Sequence, residues 1–143
     1  LARVYYSAMQ PIPGTPIEGR APVPFLREHR LYQVDFLLRS YGFALGEIHF
    51  DSTGALPLDA DPKMVWARNH PERFPVEVNQ AGLTDLVRVP GIGPQSAKRL
   101  LQMRRKERLR DVAALRAAGA SWKVASPFVL LDGRPADRQL RLC

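Results

Sequence analysis

The chain has 143 residues, with 21 Lys or Arg against 14 Asp or Glu for a formal charge of +7, and 45% of its residues are hydrophobic. That length buries one core of ordinary size or two small helical ones. No apolar run approaches the roughly 20 residues of a bilayer-spanning helix, and no helical stretch joins a bulky apolar face to a basic one as surface-bound helices do, so no membrane partner is expected. The single cysteine, Cys143, excludes a disulfide framework within one chain and fits a reducing cytoplasm.

Leu1 is not an initiator, and the strand-like run Ala2–Ser7 follows without a leader, which reads as a fragment or a trimmed product. Five prolines from Pro11 to Pro24 make a long extended connection. From Phe25 to Phe43, Leu31, Val34, Leu38 and Tyr41 form an apolar stripe with Phe36 and Leu37 beside it, so the spacing predicts a helix of about four turns stopped at Gly42. Ile48 and Phe50 fit either a short strand or an irregular packed loop. Asp61 can cap a helix through His70 with Pro62 in its first turn. In that helix Met64, Val65 and Ala67 face the core and Trp66 covers an edge.

Catalytic chemistry finds little support. His29, His49 and His70 are about twenty residues apart, without metal-binding spacing, and the cysteine is terminal. Glu28 and His29 are neighbours on a predicted helix, where adjacent side chains do not face each other, so a surface histidine is the better reading. No acyl-transfer triad, Walker loop or zinc finger is present. The chain itself reads as non-enzymatic and without a cofactor.

The most informative stretch runs from Leu86 to Arg99. Leu83, Leu86 and Val87 recur at helical spacing, and Ala97, Leu100, Leu101 and Arg104 resume that period after Pro94, so Val89 to Gly93 must reverse the chain. Asp85 lies in the first turn of the incoming helix, after Gly82 and the lead-in Val76-Glu-Val-Asn79. Pro94 suits the first turn of the outgoing one. Gly91 and Gly93 let the backbone turn tightly, and their N–H groups can form an anion nest at the positive end of the next helix. Ile92, between them, is expected to plug the turn into the apolar seam, with Ala97 buried beside it. Between Arg88 and Arg110 there are eight basic residues (Arg88, Lys98, Arg99, Arg104, Arg105, Lys106, Arg108, Arg110) against Glu107 alone, a balance of +7 that equals the charge of the whole chain. The positive field is therefore concentrated beside the hairpin. A solvated helix end also accommodates Arg104-Arg105-Lys106, since cations suit the dipole there.

A second, eroded copy follows. Asp111 can cap a helix carrying Val112, Ala114, Leu115 and Ala118, and Gly119-Ala-Ser121 turns into a segment with Trp122, Val124 and Ala125. Setting Gly119 against Gly91 aligns Ala125 with Ala97, but Ala118 replaces the proline and Ser121 replaces Gly93. The turn survives, while the nest is in question. Lys123 fits a phosphate contact or an ordinary surface lysine equally well. Pro127 ends or bends this helix and leaves Phe128–Leu131 as a short apolar closing segment.

Leu86, Val89-Pro-Gly-Ile-Gly93, Ala97, Lys98 and Arg99 resemble the helix-hairpin-helix motif of DNA repair and recombination proteins. The resemblance implies that hairpin amides at Gly91, Ile92 and Gly93, with Gln95, Lys98 and Arg99, bind consecutive phosphates of a DNA strand. Arg88, Arg104, Arg105, Lys106, Arg108 and Lys123 would supply the surrounding basic surface. It also implies a monovalent cation on the carbonyls of Val87, Val89 and Ile92. The lead-in from Val76 resembles that of competence-type DNA-binding domains, making 77–126 one helical module. DNA over RNA follows from the resemblance, because backbone recognition through amides does not exclude RNA.

A second resemblance joins several blocks. Tyr5-Tyr-Ser7, Leu26–Gln33, Asp61-Pro-Lys63 with Trp66, and His70–Asn79 are similar to the C-terminal region of a bacterial radical-SAM family assigned to DNA modification or repair and associated with a uracil-DNA-glycosylase-like protein. It implies a parent enzyme carrying a 4Fe-4S cluster and S-adenosylmethionine, a catalytic barrel of the same polypeptide whose last strand is the run 3–7, and Arg27, Glu28, His29 and Arg30 near that barrel's opening. The cysteine triplet that would ligate the cluster is absent from this chain.

The expected architecture is mainly α: an extended segment over 1–24, a helical connector over 25–75, a helix-hairpin-helix domain over 76–131 with one intact and one degenerate motif, and a tail over 132–143. The favoured function is sequence-independent DNA binding that positions a substrate for an enzyme. The alternative is a structural or protein-interaction domain that packs on the parent barrel or meets an acidic partner.

Overall fold

The computed structural model describes residues 25–136. The strand-like run 2–7, the proline-rich segment 11–24 and Cys143 lie outside them. Among the described residues, six α-helices and one small sheet make a mainly helical protein, in two compact units, Leu1–Val65 and Trp66–Cys143.

In the first unit, α1 (Phe25–Ser40) ends where Gly42 takes φ 74°, and the Leu37 carbonyl accepts hydrogen bonds from the Tyr41 and Phe43 amides. The predicted stripe is displaced. Val34 and Leu37 point inward, Leu31, Leu38 and Tyr41 are half-buried, and Phe36 is 48% exposed. Asp35, buried on the same helix, pairs with Arg39 one turn on at 2.7 Å. Arg27 and Arg30 donate to the carbonyls of Leu56 and Leu58, which ties α1 to the loop before α2. Ile48 belongs to an irregular loop and is buried, while Phe50 is exposed.

Helix α2 (Pro62–Asn69) starts as its sequence predicts: Asp61 accepts the Met64 amide at 2.9 Å and Pro62 opens the first turn. Lys63 is buried with its ammonium 4.8 Å from the centre of the Tyr41 ring, and desolvation pulls its pKa down to about 7 against the opposing pull of Asp61.

Trp66 covers no edge. It is 3% exposed and is a core residue of the second unit, stacked on His70 at 4.6 Å and meeting Phe74 edge-on at 6.0 Å. Met64 and Val65, expected inside, are half-buried instead. The second unit then runs through β1 (Val76–Glu77), α3 (Leu83–Arg88), α4 (Pro94–Lys106), α5 (Val112–Ala117), α6 (Trp122–Ala125), β2 (Val129–Leu131) and β3 (Arg134–Pro135). Its core gathers Val78, Leu86, Val89, Ile92, Leu100, Leu115, Val129 and Leu131, all nearly or completely inaccessible.

The sheet was not expected. β1 pairs in parallel with β2, Val76 opposite Val129, and β2 pairs antiparallel with β3 through a two-residue turn. Asp132 at φ 54° and Gly133 at φ 77° form that turn, and the Asp-Gly pair is the sequence signature of such hairpins. The apolar closing segment is thus the central strand. It anchors the lead-in to α3, because Val78 donates to the Leu130 carbonyl at 3.0 Å. The Asn79 side chain adds a second tie, exchanging two 2.8 Å hydrogen bonds with the backbone of Leu109 beyond α4.

Candidate nucleic-acid interface

α3 and α4 are joined by the five residues Val89 to Gly93, as the periodicity predicts, and they pack against each other. Val89, Ile92, Ala97 and Leu100 are each 0% exposed, so Ile92 does plug the seam between the helices. Burying such a side chain is worth about 1.5–3 kcal/mol, which explains an isoleucine between two glycines. The Ile92 amide closes the turn on the Val89 carbonyl at 3.0 Å. That carbonyl keeps a second lone pair, so this bond does not prevent it from joining Val87 and Ile92 in holding a cation.

The two glycines serve differently. Gly91 takes φ 89°, where a side chain is strained, and a methyl group there would sit 2.7 Å from the Ser121 carbonyl oxygen. Gly93 is the N-cap of α4 at φ −91° and ψ 178°, extended backbone open to any residue. Backbone conformation therefore demands glycine at position 91 and not at position 93. Neither the Gly91 amide nor the Gly93 amide makes a hydrogen bond among the described residues. Both flank the first turn of a thirteen-residue helix, whose own first amides also lack intrahelical partners and whose dipole favours an anion. Gln95, Lys98 and Arg99 are exposed along that first stretch. Arg99 also reaches the Ala118 carbonyl at 3.5 Å.

The wider basic surface is smaller than its charge count. Arg88 is buried, its guanidinium 5.1 Å from the centre of the Trp66 ring, and so does not face a ligand. Arg104 is half-buried and donates to the carbonyls of Val78 at 3.0 Å and Ala81 at 2.5 Å, bracing the lead-in to α3. Arg108 is exposed and bonded to Asp132, which holds the guanidinium's pKa up and the carboxyl's pKa down. Arg110 stands 3.9 Å from the same carboxylate. Arg105, Lys106 and Lys123 are exposed as expected. Sequence reasoning missed Asp132 as the counter-charge to this run. The Asp-Gly turn signal could have revealed that the chain doubles back there.

The second hairpin is present. Asp111 caps α5 by accepting the Ala113 amide at 2.9 Å, and Gly119 at φ 82° mirrors Gly91. Ala125, the counterpart of Ala97, is likewise 0% exposed. Its turn amides are all occupied, however: Gly119 donates to Arg116 at 3.0 Å, Ala120 to Leu115 at 3.0 Å and Ser121 to Gly91 at 2.8 Å. The degenerate turn docks on the intact one through the Ser121 amide, while its Gly119 and Ala120 amides close back on α5.

Among the described residues no helix is long and apolar enough to cross a membrane, and no three His, Cys, Asp or Glu side chains cluster as metal ligands. No curated protein and no solved structure shows significant similarity to the chain. Residues 73–117 match the family model of the helix-hairpin-helix motif, a non-catalytic element that typically binds DNA without sequence specificity, so the region from the lead-in through α5 carries this motif.

Proposed function

We propose that the Gly91–Gly93 turn, the start of α4, Gln95, Lys98 and Arg99 hold consecutive phosphates of DNA without reading its bases. The observation that carries this reading is the pair of amides at Gly91 and Gly93, without hydrogen-bond partners among the described residues, inside a stretch matched by the motif. Arg105 and Lys106 extend the attraction along α4, and a monovalent cation on the Val87, Val89 and Ile92 carbonyls would add positive charge at the same turn. The blocks that resemble the radical-SAM family support a wider reading, in which the module presents DNA to a catalytic barrel and to a glycosylase-like partner. The single cysteine of this chain does not fit an iron–sulfur cluster, which is held by several thiolates.

Binding to duplex DNA over a range of salt concentrations tests the phosphate reading. Affinity should fall linearly on log–log axes, and Lys98→Ala should flatten the slope by about one while weakening unrelated sequences by a similar factor. Absence of binding at low salt would leave the hairpin as packing and the basic residues for an acidic protein.

A further inference from the structure

We propose that this module grips one strand of DNA only, so that single-stranded DNA is a ligand on a par with duplex. The inference rests on the phosphate reading above and adds the class of nucleic acid that satisfies it.

A duplex is clasped across its groove when two hairpins each offer turn amides to one strand. Here the two turns are not equivalent. In the first, the amides at positions 91 and 93 make no hydrogen bond among the described residues and only the Ile92 amide is used internally. In the second, the amides at the matching positions 119, 120 and 121 all donate to backbone carbonyls, and the one equivalent to Gly93 donates to the first hairpin itself. To offer the Ser121 amide to a phosphate, the protein would have to break a 2.8 Å hydrogen bond between the hairpins. Docking also holds the turn in place, because the Ser121 carbonyl occupies the space where a Gly91 side chain would lie.

The helices behind the turns reinforce the difference. α4 has thirteen residues and α6 has four, too few to sum an appreciable dipole. Pro94 opens α4 without an N–H to satisfy, whereas α6 has Trp122 in that place. The second hairpin therefore retains only diffuse charge from the exposed Arg116 and Lys123, with the Lys123 ammonium 5.5 Å from the Trp122 ring centre. Such charge attracts phosphate without fixing the path of a second strand.

Fluorescence anisotropy with a labelled 20-nucleotide strand and the corresponding duplex, at one low salt concentration, decides the point. The two dissociation constants should agree within about threefold, and the double charge reversal Arg116→Glu with Lys123→Glu should weaken both by the same factor. Those substitutions are on the surface, and circular dichroism verifies that the variant is folded. Duplex binding tighter by about tenfold or more, with that preference lost in the double variant, would overturn the one-strand grip in favour of a clasp. Failure to bind either nucleic acid would overturn the phosphate reading itself, a result distinct from a duplex preference.

Discussion

The two hairpins of the second unit share a chain path and differ in what they do with it. Gly91 and Gly119 adopt nearly the same left-handed conformation, at φ 89° and 82°, and Ala97 and Ala125 are equally buried. Yet the first turn spends its carbonyl on its neighbour and keeps its glycine amides clear, while the second spends its amides. The comparison shows how a repeated motif divides labour. One copy becomes a support whose turn amides are satisfied by protein, and on the proposed reading the other leaves its glycine amides for a phosphate without losing its position.

The sharpest way to break this comparison is at Gly91. Gly91→Ala places a methyl group 2.7 Å from the Ser121 carbonyl oxygen and 3.0 Å from the Ala125 nitrogen, both backbone atoms, in a conformation disfavoured for alanine. A loss of about 2–4 kcal/mol is expected in denaturant unfolding, since strain and a steric clash add. Gly93→Val should act on binding instead. Its extended backbone tolerates a side chain at a stability cost of about 1 kcal/mol, but the branched group obstructs the approach of a phosphate, so DNA affinity should fall about tenfold or more. Equal affinity of this folded variant and wild type would remove Gly93 from the site. Gly119→Ala is the mildest change: a methyl group there meets Arg99 Nη1 at 3.0 Å, the far end of a flexible side chain that can move aside. It should cost about 1 kcal/mol from backbone strain and leave DNA affinity within about twofold of wild type.

Local signals made much of this fold legible. Helical spacing on both sides of Val89–Gly93 marked the reversal, Asp61 and Asp111 marked helix starts, and the alignment of Gly119 with Gly91 predicted a second turn. Long-range partners were hidden. Nothing near Trp66 announces that Arg88, twenty-two positions on, covers its ring, so an arginine counted as surface charge is core. Strands of two and three residues are too short to show alternation, and the parallel pairing of Val76 with Val129 spans the whole hairpin module. At the site, glycine identity was visible but its use was not. Only the geometry separates Gly91, required by the turn, from Gly93, which occupies backbone that other residues adopt.

Amide chemical shifts recorded while a short DNA oligonucleotide is titrated into the protein test the central claim most directly. The largest changes should fall on the amides of Gly91 and Gly93 and on the first turn of α4, with the Gly119, Ala120 and Ser121 amides little affected because their hydrogen bonds to protein persist. Saturable binding whose largest shifts lie on Gly119–Ser121, or only on Arg105 and Lys106 with Gly91 and Gly93 unmoved, would contradict the assignment of the intact hairpin as the phosphate site.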